Sequence, residues 1–151
     1  MILGGRRQAP LDEREIRRAA NTFLGLDAEV IVRYEEGART VFHVVREEAE
    51  EYGEIVFGPD IYPGQCVVDV NSTLNLKAAA AHELTHFHRW INTRALDYTV
   101  MPLLDEALTS LEAVLRYERH LSEQDIRELV SDALQRLHLF ATELAGQRAA
   151  E

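Results

Sequence analysis

The sequence predicts an α+β domain: an N-terminal helix, a small, mostly antiparallel sheet of three to four strands, and then three helices. Apolar residues recur at helical spacing near the N-terminus and alternate with charged residues from about residue 29 to residue 45. Helical spacing returns after Asn71 and continues towards the C-terminus. A chain of 151 residues has the usual length of one domain, so residues 1–151 are predicted to form a single domain.

The first half of the chain contains the predicted sheet. Asp12 is placed to cap the first helix, and Gly25 is placed to end it. The turn signal Glu36-Gly37 predicts that the first two strands pair as a hairpin. The predicted strands are residues 29–35, 41–45, 54–57 and 65–70.

The second half is predicted to be helical. Ser72 or Thr73 can cap a helix that runs to about Ile91, and Pro102 suits the first turn of the next helix. The segment Ser122–Asp125 resembles a capping box before the last helix. Apolar stripes on the last two helices are expected to face the core: Leu104, Ala107, Leu108, Leu111, Val114 and Leu115, then Ile126, Leu129, Val130, Ala133, Leu134, Leu137, Phe140, Ala141 and Leu144.

The charge balance restricts the class of partner. Sixteen Lys and Arg face twenty-six Asp and Glu, a formal net charge of −10, which argues against a general phosphate-binding surface, and no nucleic-acid partner is expected. An arginine cluster near the N-terminus is typical of a solvated helix face, with a local basic patch as the alternative; its members are Arg6, Arg7, Arg14, Arg17 and Arg18.

The apolar segments are short. None approaches the roughly 18 residues of a membrane span, and the N-terminus lacks the apolar run of a signal peptide. The single cysteine, Cys66, lies in an apolar run and is expected to be a small buried hydrophobe. We therefore expect a cytoplasmic protein that does not associate with a membrane.

The segment His82-Glu83-Leu84-Thr85-His86 carries the clearest chemical signal. Two histidines four residues apart project from one helix face, where both imidazoles can bind one tetrahedral Zn²⁺. Glu83 lies beside them and can act as the general base for a metal-activated water. The spacing therefore predicts His82 and His86 as metal ligands and Glu83 as the catalytic residue.

A zinc site of this kind needs a third protein ligand and one open position. Glu106, twenty residues after His86 and near the start of the next helix, is the best candidate. Glu112 is the main alternative. His88 is a second alternative, although it points away from the face of the other two histidines.

These residues resemble a known family. The segment Ala81–His86, followed after nineteen residues by Glu106-Ala107, resembles the gluzincin metallopeptidases of the thermolysin type, whose fold is called zincin-like. The resemblance implies that His82, His86 and Glu106 bind zinc and that Glu83 is the general base. The segment Val67–Asn71, which precedes the motif, is also similar to the ImmA/IrrE class of small intracellular bacterial metallopeptidases.

Two further family features involve other positions. Thermolysin-type enzymes usually place an aspartate four residues after the third ligand, where it orients a zinc histidine; this chain has Ser110 there, a weaker orienting partner. The family also uses a separate histidine or tyrosine to stabilise the oxyanion. Tyr98 is the first candidate for that role, and His120 and His138 are the others.

The predicted function is zinc-dependent hydrolysis, with an endopeptidase that cleaves an intracellular protein or peptide as the first interpretation. The ImmA/IrrE resemblance implies that this partner is a regulator. Strand 65–70 could pair with the substrate by strand addition, or it could be a plain core strand. Two alternatives stay open: a non-catalytic zinc-binding interaction module on the same fold, and hydrolysis of a non-peptide amide.

Overall fold

The computed structural model describes residues 6–64 and 74–150 and has the predicted α+β architecture. The predicted fourth strand at 65–70, with Cys66, lies outside the described residues. In chain order the elements are α1 (Glu13–Leu26), β1 (Ile31–Tyr34), β2 (Val41–Glu47), β3 (Glu50–Phe57), a 3-10 turn (Pro59–Ile61), α2 (Leu76–Ile91), α3 (Pro102–Tyr117) and α4 (Glu123–Ala150). The fold class, with its N-terminal helix first, is confirmed.

The helix starts follow local capping chemistry. Asp12 caps α1 as predicted: its carboxylate accepts the Glu15 amide at 2.8 Å, and the Glu15 side chain bonds back to the Asp12 amide. Gly25 does not end α1, which continues to Leu26. The predicted cap of α2 at Ser72 or Thr73 is also wrong, because Asn75 occupies the cap and its side chain accepts the Ala78 amide at 2.9 Å.

The sheet has the strand order β1-β3-β2, so the predicted hairpin of the first two strands does not form. β2 instead pairs antiparallel with β3, and β1 pairs parallel with β3. The Glu36-Gly37 turn exists, with Gly37 at a φ of 75°. After this turn the chain crosses to the far side of the position that β3 occupies, so β1 and β2 lie on opposite sides of β3. The central position belongs to β3 because its second half is the most apolar and most buried segment of the sheet.

Helix α2 packs closely beneath the sheet. Its residues Ala78–Ala81 are all fully buried, and small side chains let the helix backbone approach its neighbours. On the facing side, Ile55 and Phe57 of β3 are also buried, and Phe57 packs against Phe23 of α1 at a ring-centroid distance of 5.7 Å. The residues that follow the alanine run are thereby placed in the centre of the molecule.

The apolar stripes predicted for α3 and α4 are only partly buried. Leu115 is 74% exposed and Leu134 is 62% exposed, so this expectation is wrong for part of each helix. The buried faces are instead largely polar: Asp105, Glu106, Thr109 and Ser110 on α3, and Asp125, Asp132 and Arg136 on α4. A polar face can be buried here because its side chains pair with one another across the α3–α4 contact.

Helix α4 is the longest element, with 28 residues. The predicted capping pair forms at its start: the Ser122 amide donates to Asp125 Oδ2 at 2.8 Å, and the Asp125 amide donates to Ser122 Oγ at 3.1 Å. Its final ten residues, 141–150, are exposed. Within the described residues, neither α4 nor any other helix combines the length and the apolar character needed to cross a bilayer.

Candidate metal centre

Three side chains named from the sequence meet between α2 and α3. His82 Nε2 lies 2.7 Å from Glu106 Oε2, and His86 Nε2 lies 3.2 Å from the same oxygen. The two Nε2 atoms are 3.1 Å apart. The histidines lie on successive turns of α2, and Glu106 lies near the start of α3. We call His82, His86 and Glu106 the metal-ligand triad, because this set could hold a metal ion.

The two alternative ligands lie elsewhere. Glu112 accepts a hydrogen bond from Arg94 Nε at 2.8 Å. His88 Nε2 lies 2.5 Å from Asp27 Oδ2, on the opposite side of α2 from the triad. Neither residue approaches the place where the triad converges.

The second ring nitrogen of His82 is held by a buried relay. His82 Nδ1 lies 2.8 Å from Ser110 Oγ, and Ser110 donates its hydroxyl hydrogen to Asp132 Oδ2 at 2.6 Å. A hydroxyl has one hydrogen, so Ser110 can only accept from His82. The hydrogen-bond network thus assigns the hydrogen of His82 to Nδ1 and leaves a lone pair on Nε2.

A similar arrangement, with a longer contact, surrounds His86. Its Nδ1 lies 3.4 Å from Thr109 Oγ1, which donates its own hydrogen to the Asp105 carbonyl at 2.7 Å. The Asp105 carboxylate is also near, with Oδ2 at 4.0 Å from His86 Nδ1. The acceptors around Nδ1 therefore favour a lone pair on His86 Nε2 as well.

Both lone pairs face the carboxylate oxygen of Glu106. Three electron-rich atoms at separations of 2.7–3.2 Å repel one another unless a cation or a proton lies among them. Donors bound to tetrahedral zinc lie about 3.4 Å apart, given bonds of about 2.05 Å. Two imidazole nitrogens and one carboxylate oxygen are also a usual donor set for zinc, so the residues present fit the ion.

Buried charge around the triad points the same way. Glu83, Glu106 and Asp132 are each at most 3% exposed, and the cations near them are the buried Arg136 and the partly buried Arg6, whose charge interacts with Glu83 and Asp132. Arg89 and Asp105 form a separate, balanced ion pair at 3.0 Å. The carboxylates still outnumber these cations, and a buried negative excess is costly unless a cation or a proton neutralises it.

The titration of the triad reflects this crowding. Burial alone would raise the pKa of Glu106, but the charge of His86 and hydrogen bonds from both histidines hold the pKa of that carboxyl far below its usual range. Burial alone would lower the pKa of His86, but the charge and hydrogen bond of Glu106 raise it instead. In the metal-free triad these shifts favour an ionised Glu106 and a protonated His86, so a proton lies where the lone pairs would otherwise face the carboxylate and where a cation can replace it.

A cavity of about 370 Å³ opens beside the triad. Glu83, His86 and Glu106 line it together with Tyr98 of the connection between α2 and α3. Burial raises the pKa of Tyr98, and the charge and hydrogen bond of Glu106 raise it further, so the phenol stays protonated at neutral pH. The remaining walls are mostly apolar and include Phe42 and Val44 of β2, Trp90 of α2, and Leu96.

The position of Phe42 depends on a glycine. A Cβ at Gly53 would lie 2.6 Å from the Phe42 ring, so only glycine leaves that ring its present place. The Phe42 ring stacks on His86 with a centroid distance of 6.5 Å and an interplanar angle of 7°. Strand β2 thereby forms one wall of the cavity.

The other two candidates for the oxyanion donor lie away from the triad. His138 is exposed on α4. His120 lines a second, larger cavity of about 500 Å³ between α1 and the start of α2. Of the three candidates, the structure places only Tyr98 beside the triad.

Sequence reasoning missed the polar residues behind the triad. Thr109, Asp132 and Arg136 are each at most 1% exposed. A usable signal was present on α4, where Asp132 and Arg136 are in helical phase with the buried Leu129 and Ala133. Charged residues in phase with a buried stripe indicate a buried network.

Comparison with known proteins adds no family assignment. No protein-family model matches the chain, and no curated protein and no solved structure matches it significantly.

Proposed function

We propose that this protein is a zinc-dependent peptidase of the cytoplasm. The observation that carries the proposal is the convergence of three atoms able to bind a metal, two of them histidine nitrogens, beside Glu83 in a cavity. Two imidazoles and a carboxylate, with space left for a fourth ligand, are the donor set of hydrolytic zinc sites.

Glu83 and Tyr98 have complementary roles in this proposal. A zinc ion held by the triad would supply Lewis acidity, which lowers the pKa of a water molecule and polarises a carbonyl. Glu83 accepts the proton of the attacking water and passes it to the leaving amine. The protonated phenol of Tyr98 donates a hydrogen bond to the oxygen that gains negative charge.

A peptide substrate fits the cavity and its rim. Among the described strands β2 lies at an edge of the sheet and pairs only with β3, and an edge strand is the kind of element with which an extended peptide can pair. The apolar walls at Phe42, Trp90 and Leu96 suit an apolar side chain of that peptide. We infer a protein or peptide substrate, such as a regulator.

The test compares wild-type protein with Glu83→Gln. Both are stripped of metal, reloaded with zinc, and assayed for zinc content and for cleavage of a fluorogenic peptide library. Removal of a general base is expected to reduce cleavage by about 10²–10⁴-fold while zinc content stays the same. Glu112→Gln is the matched control, because that carboxylate pairs with Arg94 and is remote from the triad, and it should cleave like wild type.

Two outcomes would reject the peptidase mechanism. Wild type that binds no zinc removes its basis, and undiminished cleavage by Glu83→Gln removes the general base. If wild type binds zinc, hydrolyses nothing and loses stability on chelation, the protein is instead a zinc-binding interaction module.

A further inference from the structure

We propose that Asp132 of α4 is a positioning residue for the metal, acting on His82 through the hydroxyl of Ser110. The inference rests on the proposed metal binding and extends it to a helix that supplies none of the triad. The chain of contacts is short throughout: His82 Nδ1 to Ser110 Oγ is 2.8 Å, and Ser110 Oγ to Asp132 Oδ2 is 2.6 Å.

The relay is needed because a hydroxyl alone does not fix the histidine tautomer. A serine can donate to a ring nitrogen or accept from it, and each choice places the ring hydrogen differently. The Asp132 carboxylate only accepts, so it takes the Ser110 hydrogen and makes Ser110 an acceptor. His82 must then carry its hydrogen on Nδ1 and present Nε2 to the metal. Polarisation of Ser110 by the buried carboxylate also strengthens the hydrogen bond that Ser110 accepts from His82 Nδ1.

Arg136 fixes the carboxylate that drives the relay. Its Nε donates to Asp132 Oδ2 at 2.9 Å, and its Nη1 lies 3.5 Å from Glu106 Oε2. Asp132 is fully buried and Arg136 is 1% exposed, so neither side chain has room to turn away. One guanidinium therefore couples the orienting carboxylate to the third member of the triad.

The experiment measures zinc affinity by competition with a chromophoric chelator, and coordination from the visible spectrum of the cobalt-loaded protein. Asp132→Asn and Ser110→Ala should each weaken zinc binding by about 10- to 100-fold, the usual effect of removing an orienting partner. Their double variant should bind zinc about as well as the weaker single variant, because the two residues act in one chain.

A variant in which the carboxylate is moved from position 132 to position 110 tests whether Asp132 positions His82 or only supports the structure. Ser110→Asp combined with Asp132→Ser moves the acid next to His82, and this variant should recover most of the lost affinity and the wild-type cobalt spectrum. Asp125→Asn is the matched control, since Asp125 is another buried aspartate of α4 but bonds to Asn75 and Ser122. It should lower thermal stability and leave zinc affinity unchanged.

The outcomes distinguish the inference from the proposed function. Wild type without measurable zinc affinity overturns the proposed metal binding itself. Wild-type affinity in folded Ser110→Ala overturns the relay alone, as do losses in the two single variants that simply add in the double variant. If Asp132→Asn does not fold, Ser110→Ala and the transfer variant still decide, because the first removes one atom and the second retains the buried acid.

Discussion

Helix α2 carries two histidine–carboxylate clusters, one buried and one half-buried, which differ in their hydrogen bonding. In the first, His82 and His86 converge with Glu106 beside a cavity. In the second, His88 meets Asp27 at 2.5 Å, and the Tyr117 hydroxyl donates to the same carboxylate oxygen at 3.2 Å. The second cluster joins α1, α2 and α3.

The difference lies in the balance of donors and acceptors. The Asp27 oxygen receives hydrogens from a histidine and a phenol, so the second cluster is complete by itself. In the triad, the hydroxyls of Ser110 and Thr109 have already committed their hydrogens, and lone pairs face a carboxylate. A complete cluster can only contribute stability, whereas a cluster with an excess of lone pairs could also hold a cation.

The largest expected effect concerns the third ligand. Glu106→Gln exchanges a negative ligand for a neutral one, and we expect zinc affinity to fall by roughly three orders of magnitude. Glu112→Gln, six residues along the same helix, should bind zinc like wild type because Glu112 pairs with Arg94. Titration with a competing chelator measures both. Equal losses of zinc affinity in the two variants would contradict the assignment of Glu106, rather than any nearby carboxylate, as the third ligand.

Zinc should stabilise the folded protein by binding at the metal-ligand triad and not at the second cluster. A zinc ion present at a hundredfold excess over its dissociation constant adds about 2.7 kcal/mol to the free energy of unfolding. For a domain of this size the melting temperature should rise by roughly 5–10 °C and return after treatment with a chelator. Glu106→Gln should show no such rise at the same zinc concentration. A rise of equal size in that variant would place the ion elsewhere.

The second cluster should respond to mutation in stability only. Asp27→Asn removes a charged acceptor from His88 and Tyr117, and we expect the free energy of unfolding to fall by about 2 kcal/mol at pH 7. Urea denaturation of the metal-free proteins measures the loss. Zinc affinity should not change, and a clear reduction would mean that the two clusters are coupled through α2.

The same variant gives a signed pH dependence. Burial alone would raise the pKa of Asp27, but hydrogen bonds from His88 and the Glu29 amide lower it from its ordinary value of 3.8. A depressed pKa contributes stability that is present above 3.8 and is lost as the pH falls through the folded-state value. The difference between wild type and Asp27→Asn should therefore shrink below about pH 4, and a constant difference would contradict this account.

The parts of the fold that local chemistry determines were predictable. The capping pairs at Asp12 and Ser122, Pro102 in the first turn of α3, and the spacing of His82 and His86 all act within a few residues. Strand pairing was not predictable in the same way. The turn at Gly37 suggested a hairpin, but the central place in the sheet is decided by burial of β3 against α2.

The candidate site also has parts that the local sequence predicts and parts that depend on tertiary packing. Its motif could be found in five consecutive residues, and Glu106 could be proposed from its distance along the chain. The relay from Asp132 could not, because it depends on which face of α4 turns inward. The apolar stripes were right only in part: Leu129 and Ala133 are buried, but Leu115 and Leu134 lie outside because paired polar side chains take up much of the inner face.

The late position of Asp132 in the chain has a consequence for how the protein matures. All three donors belong to α2 and α3, so a chain that is still being synthesised contains them before α4 has emerged. Under the proposed relay, such a chain holds His82 without a fixed tautomer and captures metal weakly. Tight loading would then wait for α4 to dock, and the proposed peptidase activity would be absent until the fold is complete.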